Sequence, residues 1–210
     1  MSTGTLRDVR SPDLRTPATS PVVLLLHGFG SHEHDLAGLA PHLPAGVPWA
    51  SLRAPLDLPH GGAAWFAITT PGSPDAAPVA AATDAIWAWV DTELGPDAVV
   101  APVGFSQGGL MATQLLRTRP SRVAATVVLG GFVLGHPQPA DDTLRTTRPP
   151  VFWGRGDLDT VIASHAVERT AAWLPTHSTL TARTYPGLAH GIDAAELADV
   201  HTFLTPRTTP

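Results

Sequence analysis

The chain has 210 residues, of which 43% are hydrophobic and 15% are charged, and this length suits one globular domain with a sizeable buried core. All 13 basic residues are arginines, outnumbered by 18 acidic ones, and a net charge of -5 without a basic run argues against nucleic acid as a partner. With no cysteine, the chain has neither a thiolate zinc site nor a cysteine nucleophile.

The start of the chain has no feature of an export signal. Residues 1–20 are polar and interrupted by prolines, and no apolar run approaches the ~20 residues that cross a bilayer. We therefore expect a cytoplasmic protein that does not insert into membranes. We expect an N-terminal segment at residues 1–20, one domain at 21–205 and a tail at 206–210. The oligomeric state stays open, with a homodimer among the alternatives.

Predicted strands and helices alternate along the chain. Continuous β-branched and aliphatic runs predict strands at residues 22–26, 49–52, 98–103, 124–129, 151–153 and 180–185. Apolar residues at helical spacing predict helices at residues 35–43, 80–94, 110–119, 164–174 and 194–204, and residues 53–78 form a long loop. This order predicts an α/β domain with a mostly parallel central sheet flanked by helices. Pro102 counts against the third strand, because proline cannot donate to a central ladder.

A GxSxG pattern lies between a predicted strand and a predicted helix, where residues 104–108 read GFSQG. In that setting the small flanking residues permit a sharp turn that presents the serine hydroxyl above the sheet, so Ser106 is the candidate nucleophile. The backbone N–H of Gln107 is one candidate oxyanion donor. The second is the backbone N–H of Phe29, in the glycine loop that follows the first predicted strand.

A serine nucleophile of this type needs an acid and then a histidine later in the chain. His190 lies in a glycine-flanked loop directly after a predicted strand, whereas His165 and His201 fall on or beside predicted helices. His190 is therefore the candidate base. The acid should follow the strand at 151–153, where Asp157 and Asp159 are both available, and the residues alone do not choose between them.

The sequence predicts no metal and no cofactor. The segment His32-Glu33-His34-Asp35 has two histidines in a turn without a third clustered ligand, which is weak evidence for zinc. The chain has neither a phosphate-binding P-loop nor a dinucleotide fingerprint in a strand-to-helix setting.

Five motifs in chain order resemble the phospholipase/carboxylesterase family of α/β-hydrolases, which includes small bacterial carboxylesterases and acyl-protein thioesterases. They read LHGFG at 26–30, RAP at 53–55, AWF at 64–66, GFSQGG at 104–109 and YPGLAH at 185–190. The resemblance implies a single-domain α/β-hydrolase without a large cap domain. It places Asp159 in the position of the family's acid, with Asp157 in reserve. The chain departs from the family pattern at Ala67 and Thr160.

The function implied by this resemblance is that of a cofactor-free serine hydrolase acting on small-molecule esters through an acyl-enzyme intermediate. We expect small to medium acyl chains, bound by Trp65 and Phe66 and by an apolar lip that includes Phe132 and Leu134. An acyl-protein thioesterase or lysophospholipase, and a peptidase or acyltransferase, are alternatives with the same residues. A catalytically silent binding protein is a further alternative, because a fold does not specify an activity.

Overall fold

The computed structural model describes residues 6–59 and 61–208. Its strands are β1 (Asp8–Arg10), β2 (Val22–Leu26), β3 (Trp49–Leu52), β4 (Leu56–Asp57), β5 (Ala63–Ala64), β6 (Val100–Phe105), β7 (Thr126–Leu129), β8 (Pro150–Gly156) and β9 (Thr179–Tyr185). Its α-helices are α1 (Glu33–Ala37), α2 (Ala76–Glu93), α3 (Gln107–Thr118), α4 (Asp141–Thr147), α5 (Ser164–His177) and α6 (Ala194–Thr208). Short 3-10 helices lie at Ala40–His42 and Pro120–Arg122.

Within the described residues, seven strands form one sheet in the order β1-β3-β2-β6-β7-β8-β9. Neighbouring strands are parallel except for β1, which is antiparallel to β3, and this confirms the predicted α/β architecture. The strand order reverses between β2 and β6. Because ligands of open α/β sheets bind outside the carboxyl ends of strands at such a reversal, the loops after β2 and β6 are where a site is expected.

The core lies on both faces of this sheet. Every residue of β2 is fully buried, and alternate residues point into opposite layers. Leu24 packs with Ile86 of α2 and Leu110 of α3, while Leu25 packs into the layer that includes Phe203 of α6. Burial on both sides explains why β2 is a continuous apolar run and not an alternating one. In the described part of the chain, no helix is long and apolar enough to span a membrane.

Two predictions for the first half of the chain were partly wrong. The predicted helix at 35–43 is shorter, because α1 ends at Ala37 and a separate 3-10 turn contains Pro41, which has no N–H to continue an α-helix. The predicted loop at 53–78 contains the hairpin of β4 and β5 and ends where α2 begins at Ala76. Pro78 is tolerated there because N–H groups of the first helical turn have no helical partner.

Pro102 does lie inside the central strand β6. The carbonyl of Val100 accepts from Ala124 on the β7 side of the strand, and Pro102, two residues on, faces the same side. An isolated bridge joins Val100 to Val123, and regular pairing with β7 begins at Val103, so the missing N–H of Pro102 falls in the gap between the two.

Besides the hairpin of β4 and β5, strand β1 and helix α4 were not predicted. Strand β1 is short and charged, and its Arg10 forms ion pairs with Asp8 and Glu93. Because β1 pairs with β3, residues before the predicted start of the domain form one edge of the sheet. Helix α4 is polar except for buried Leu144, which hides its helical period. Helix α6 extends through Pro206 to Thr208, into the predicted tail.

Glu196 is a fully buried carboxylic acid in the first turn of α6. A Cβ atom at Gly154 of β8 would overlap its Oε1, and neither carboxyl oxygen has a hydrogen-bond partner among the described residues. Burial, with Asp193 and Asp199 nearby, raises the pKa of Glu196 to about 8. The acid is therefore neutral in the folded protein near pH 7.

This raised pKa makes stability depend on pH. The native pKa lies above the 4.5 of an unperturbed glutamate, so the native state binds the proton more tightly and the free energy of unfolding falls between about pH 4.5 and pH 8. In Glu196→Gln that loss is absent. The unfolding free energy of Glu196→Gln minus that of wild type should therefore increase by up to about 5 kcal/mol across this pH window. Urea unfolding at pH 5, 7 and 9 measures this difference.

The control is Glu168→Gln, which neutralises an exposed glutamate. It should keep a constant difference from wild type over the same pH range. A constant difference for Glu196→Gln as well would contradict the prediction.

Candidate active site

Ser106 occupies a sharp turn between β6 and α3. Its φ of 55° and ψ of -115° are uncommon for a residue with a side chain, and its N–H donates to the Leu129 carbonyl at 2.8 Å. The turn requires glycine on both sides, because a Cβ at Gly104 would overlap the Gly108 carbonyl oxygen and a Cβ at Gly108 would overlap that of Leu26. The GxSxG spacing therefore reflects how closely α3 approaches the ends of β6 and β2.

Three of the predicted residues meet at this turn. The Ser106 hydroxyl lies 2.9 Å from His190 Nε2, and His190 Nδ1 lies 2.8 Å from Asp159 Oδ2. Since an ionised carboxylate only accepts, Nδ1 carries the proton and Nε2 is free to accept from the serine hydroxyl. The Asp159 side chain is only 5% exposed, and its Oδ1 accepts from the N–H groups of Val161 and Ile162. One carboxylate oxygen is thus anchored to its own loop while the other orients the imidazole.

The two candidate oxyanion donors lie on neighbouring loops. The N–H of Gln107 is at the start of α3, where helix N–H groups have no intrahelical partner. Neither it nor the Phe29 N–H donates to any other group in the described residues. The Phe29 loop is held by the hairpin, because the Gly30 N–H donates to the Ala63 carbonyl at 2.9 Å and the Ala63 N–H donates to Ser31 at 2.8 Å.

His27 supports this loop from below. The His27 side chain is fully buried, and its Nε2 accepts from the Ala54 N–H at 3.0 Å. Because Nε2 is an acceptor, Nδ1 carries the proton and donates to the Gly28 carbonyl at 2.7 Å. Burial lowers the pKa of His27, which keeps the imidazole neutral. The LHGFG motif indicates no role for the His27 side chain, because its partner at Ala54 follows a different strand.

Trp65 and Phe66, which the sequence analysis assigned to substrate binding, are 1% and 2% exposed. They hold the two donor loops together. The Trp65 N–H donates to Gln107 Oε1 at 2.8 Å, the Gln107 amide donates to the Phe66 carbonyl at 2.8 Å, and the Trp65 indole donates to the His27 carbonyl at 2.9 Å. Contact of their side chains with an acyl chain stays a prediction.

The predicted apolar lip is a buried segment. Phe132 is 7% exposed and Leu134 is 2% exposed, and both belong to the core. Between them, the N–H of Val133 donates to Thr170 Oγ1, and the Val133 carbonyl accepts from Arg169. These bonds fasten the segment to α5. The apolar residue types of this segment do not distinguish a pocket wall from the buried core, so substrate contact by Phe132 and Leu134 also stays a prediction.

Asp157 connects the loop of Asp159 to the loop of His190. Its Oδ1 accepts from the Gly187 N–H at 2.7 Å, while the backbone N–H groups of Asp157 and Leu158 donate to the carbonyls of Tyr185 and Leu188. The two loops are therefore fastened together next to the imidazole. Asp159, and not Asp157, contacts His190. Within the described residues, no cluster of three or more His, Asp or Glu side chains has the arrangement of a metal site.

Comparison with known proteins identifies relatives of the chain. Residues 9–207 match the family model described as Phospholipase/Carboxylesterase. Acyl-protein thioesterase 1 of Cryptococcus neoformans var. neoformans serotype D is 27% identical over 89% of this chain and 92% of its own length. Pimeloyl-[acyl-carrier protein] methyl ester esterase of Aromatoleum aromaticum is 36% identical, over 52% of this chain and 37% of its own length.

The fold is shared with a solved structure of an esterase. The carboxylesterase of Bacillus cereus superposes with a TM-score of 0.79, covering 97% of this chain and 95% of the other, at 20% sequence identity. At that identity the likeness concerns the fold alone.

The two aspartates should differ sharply when each is changed to asparagine. In Asp159→Asn the amide oxygen should stay on the N–H groups of Val161 and Ile162, so that the NH2 faces His190 Nδ1 and imposes the wrong tautomer. We expect kcat for p-nitrophenyl butyrate to fall by about 10⁴. Asp157→Asn keeps an oxygen that accepts from Gly187, so its kcat should stay within about tenfold of wild type, whereas Asp157→Ala loses that bond and should be slower. Greater damage from Asp157→Asn than from Asp159→Asn would show that the acid is misassigned.

Proposed function

The chain belongs to the phospholipase/carboxylesterase family and is a hydrolase of the carboxylesterase type, and we propose that it cleaves carboxylic esters of small to medium acyl chains with Ser106 as nucleophile. The observation that supports this assignment is the continuous hydrogen-bonded chain from Ser106 through His190 to Asp159. A serine hydroxyl is a weak nucleophile until a base accepts its proton, and this chain provides the base together with the acid that orients it.

The first half-reaction forms an acyl-enzyme. Ser106 Oγ attacks the ester carbonyl carbon while its proton moves to His190 Nε2, and the resulting imidazolium is stabilised by Asp159. The negative charge that develops on the carbonyl oxygen is received by the N–H groups of Phe29 and Gln107. The tetrahedral intermediate then expels the alcohol, which takes the proton from His190.

The second half-reaction returns the enzyme to its starting state. A water molecule gives a proton to His190 Nε2 and attacks the acyl carbon, with the same two N–H groups receiving the oxyanion. Collapse of this intermediate breaks the bond to Ser106 Oγ, which recovers its proton, and releases the carboxylic acid. The fixed positions of the donors lower the barrier because they need no reorganisation as charge develops.

A thioesterase acting on longer acyl groups is the second candidate. The similarity to an acyl-protein thioesterase extends over most of both chains. A further observation favours it, since the exposed large hydrophobic side chains of the described residues lie in β4 and in the loops after β2, β5 and β8, and the loops after β2 and β8 also carry Phe29 and Asp159 of the candidate site. These side chains are Phe29, Leu56, Ile68, Leu158 and Val161. They offer apolar surface to a chain that leaves the site.

Removal of the nucleophile tests the proposal directly. We expect Ser106→Ala to stay folded and to lose ester hydrolysis by several orders of magnitude, because oxyanion donors alone retain only ~10³ to 10⁴-fold over water. A fluorophosphonate probe should label wild type at Ser106 and leave the variant unlabelled, with circular dichroism as the control for folding. Hydrolysis within tenfold of wild type in the folded variant would refute the nucleophile assignment.

Acyl-chain length separates the two candidates. Each methylene that finds apolar surface contributes ~0.8 kcal/mol, about fourfold in kcat/KM, and contributes nothing once the tail reaches water. We expect kcat/KM for p-nitrophenyl esters to rise from acetate and then to level off or fall before palmitate. A value still rising at palmitate, together with faster cleavage of a palmitoyl thioester, would favour the thioesterase.

A further inference from the structure

The side chain of Gln107 has no role in the reaction steps above, which use only its backbone N–H. Gln107 is 4% exposed, and both ends of its side-chain amide are bonded. The amide oxygen accepts from the Trp65 N–H at 2.8 Å, and the amide nitrogen donates to the Phe66 carbonyl at 2.8 Å. The residue after the nucleophile thus binds two successive residues of the segment that follows β5.

The segment that follows β5 is joined to the loop of the second oxyanion donor on both sides of that donor. Before Phe29 in the chain, the His27 carbonyl accepts from the Trp65 indole at 2.9 Å. After Phe29, the Gly30 N–H donates at 2.9 Å to the carbonyl of Ala63, which lies in β5 itself. The position of the Phe29 N–H therefore depends on the position of this segment.

The loop of the second donor is packed between the β4–β5 hairpin and the turn of the nucleophile. A Cβ at Gly62 would overlap the Gly30 carbonyl oxygen, so the hairpin touches the loop directly. On the other side, a Cβ at Gly28 would lie 3.4 Å from the Cβ of Ser106 and 3.2 Å from the Phe105 ring. Because interiors packed this closely transmit displacements, a shift of the segment after β5 moves the second donor relative to Ser106.

We propose that the Gln107 side chain is a positioning residue of the oxyanion hole, because by binding the segment of Trp65 it fixes the place of the Phe29 N–H. Gln107 thus supplies one donor from its backbone and positions the other through its side chain. Such donors act on charge that develops only in the transition state, so a misplaced donor lowers kcat more than it raises KM. This inference rests on the proposed ester hydrolysis and adds to it a residue that the reaction steps did not include.

Gln107→Met removes the two bonds and keeps the size of the side chain. Methionine has no N–H donor and only a weak acceptor. We expect kcat for p-nitrophenyl butyrate to fall by about 10- to 100-fold, toward the loss that follows removal of a whole oxyanion donor. KM should stay within about threefold of wild type. Circular dichroism checks that the variant is folded, and a kcat within threefold of wild type in the folded variant would overturn the proposal.

Gln107→Glu restores both bonds in one protonation state only. Its neutral acid offers a carbonyl oxygen to Trp65 and an O–H to Phe66, whereas its ionised form can only accept. Burial and the facing carbonyl oxygen favour the neutral acid at pH 5. We expect the ratio of its kcat to that of wild type to lie within about threefold of 1 at pH 5 and to fall by about tenfold or more by pH 9. Titration of His190 is common to both proteins and cancels in this ratio.

The matched control for Gln107→Glu is Gln114→Glu, which makes the same exchange two turns further along α3. Gln114 is 1% exposed, and its side chain contacts Gln138 and Arg117, outside the candidate site. Its kcat relative to wild type should not change with pH. The proposal fails if this control follows the same pH profile, or if Gln107→Glu is as slow as Gln107→Met at pH 5.

A trifluoromethyl ketone with a butyl chain reports the oxyanion hole directly. Ser106 Oγ adds to its carbonyl carbon, the serine proton passes to His190 Nε2, and the former ketone oxygen becomes negative. This adduct resembles the transition state, so its inhibition constant should rise in Gln107→Met by about the factor by which kcat/KM falls. An unchanged inhibition constant beside a lowered kcat would place the defect outside the oxyanion hole and overturn the proposal.

A measurement without substrate separates this proposal from the proposed function. Hydrogen exchange followed by NMR reports the Trp65 N–H, which donates to the Gln107 side chain. At pH 5, Gln107→Met should exchange this proton about tenfold faster than wild type, and Gln107→Glu should keep the wild-type rate. If wild type cleaves no ester but this protection depends on Gln107, the esterase assignment fails and the positioning of the donor loop stands. If esters are cleaved and Gln107→Met changes neither kcat nor exchange, the positioning role fails and the esterase stands.

Discussion

The close approach of α3 to the ends of β6 and β2 is the constraint on which the site depends. The backbone segments lie too close together for a side chain at Gly104 or Gly108. Between these two glycines the chain turns sharply, and Ser106 adopts a positive φ of 55°. A conformation of this kind costs of order 1–3 kcal/mol and persists only where surrounding contacts impose it. Here the N–H of Ser106 is held by Leu129 of β7, and its carbonyl accepts from Gly109 and Leu110. The strain is thus distributed over the central strands and the helix they support.

From this turn, two groups of loops are organised independently. On one side, Gln107 joins the elbow to the Trp65 segment, and His27 joins the Phe29 loop to Ala54, so the oxyanion donors belong to one hydrogen-bonded unit. On the other side, Asp157 joins the acid loop to the histidine loop. The two units touch through Ser106 and His190, and Phe105 packs its ring 4.8 Å from the imidazole. Donor placement and base placement can therefore be altered separately by substitution.

The sequence was informative where a local pattern and its tertiary role coincide. The continuous run of β2 predicts burial on both faces, and the GxSxG spacing predicts the turn, because each depends on neighbours in the chain. The side-chain role of Gln107 depends on backbone groups 41 and 42 residues away, which no local pattern specifies. Phe132 is apolar whether it lines a pocket or fills the core, so its 7% exposure could not be predicted from its residue type. The polar helix α4 lacks the period that would have identified it.

Two ionisable side chains, Glu196 of α6 and Arg155 of β8, lie at the same end of the sheet but on opposite faces of β8. Glu196 packs against Gly154 on one face, and Arg155 points from the other. A burial-raised pKa of about 8 leaves Glu196 protonated near pH 7, so it does not offset the charge of Arg155. Arg155 and the Asp159 carboxylate therefore lie together at this end of the sheet beside His190, and protonated Glu196 adds no second negative charge there.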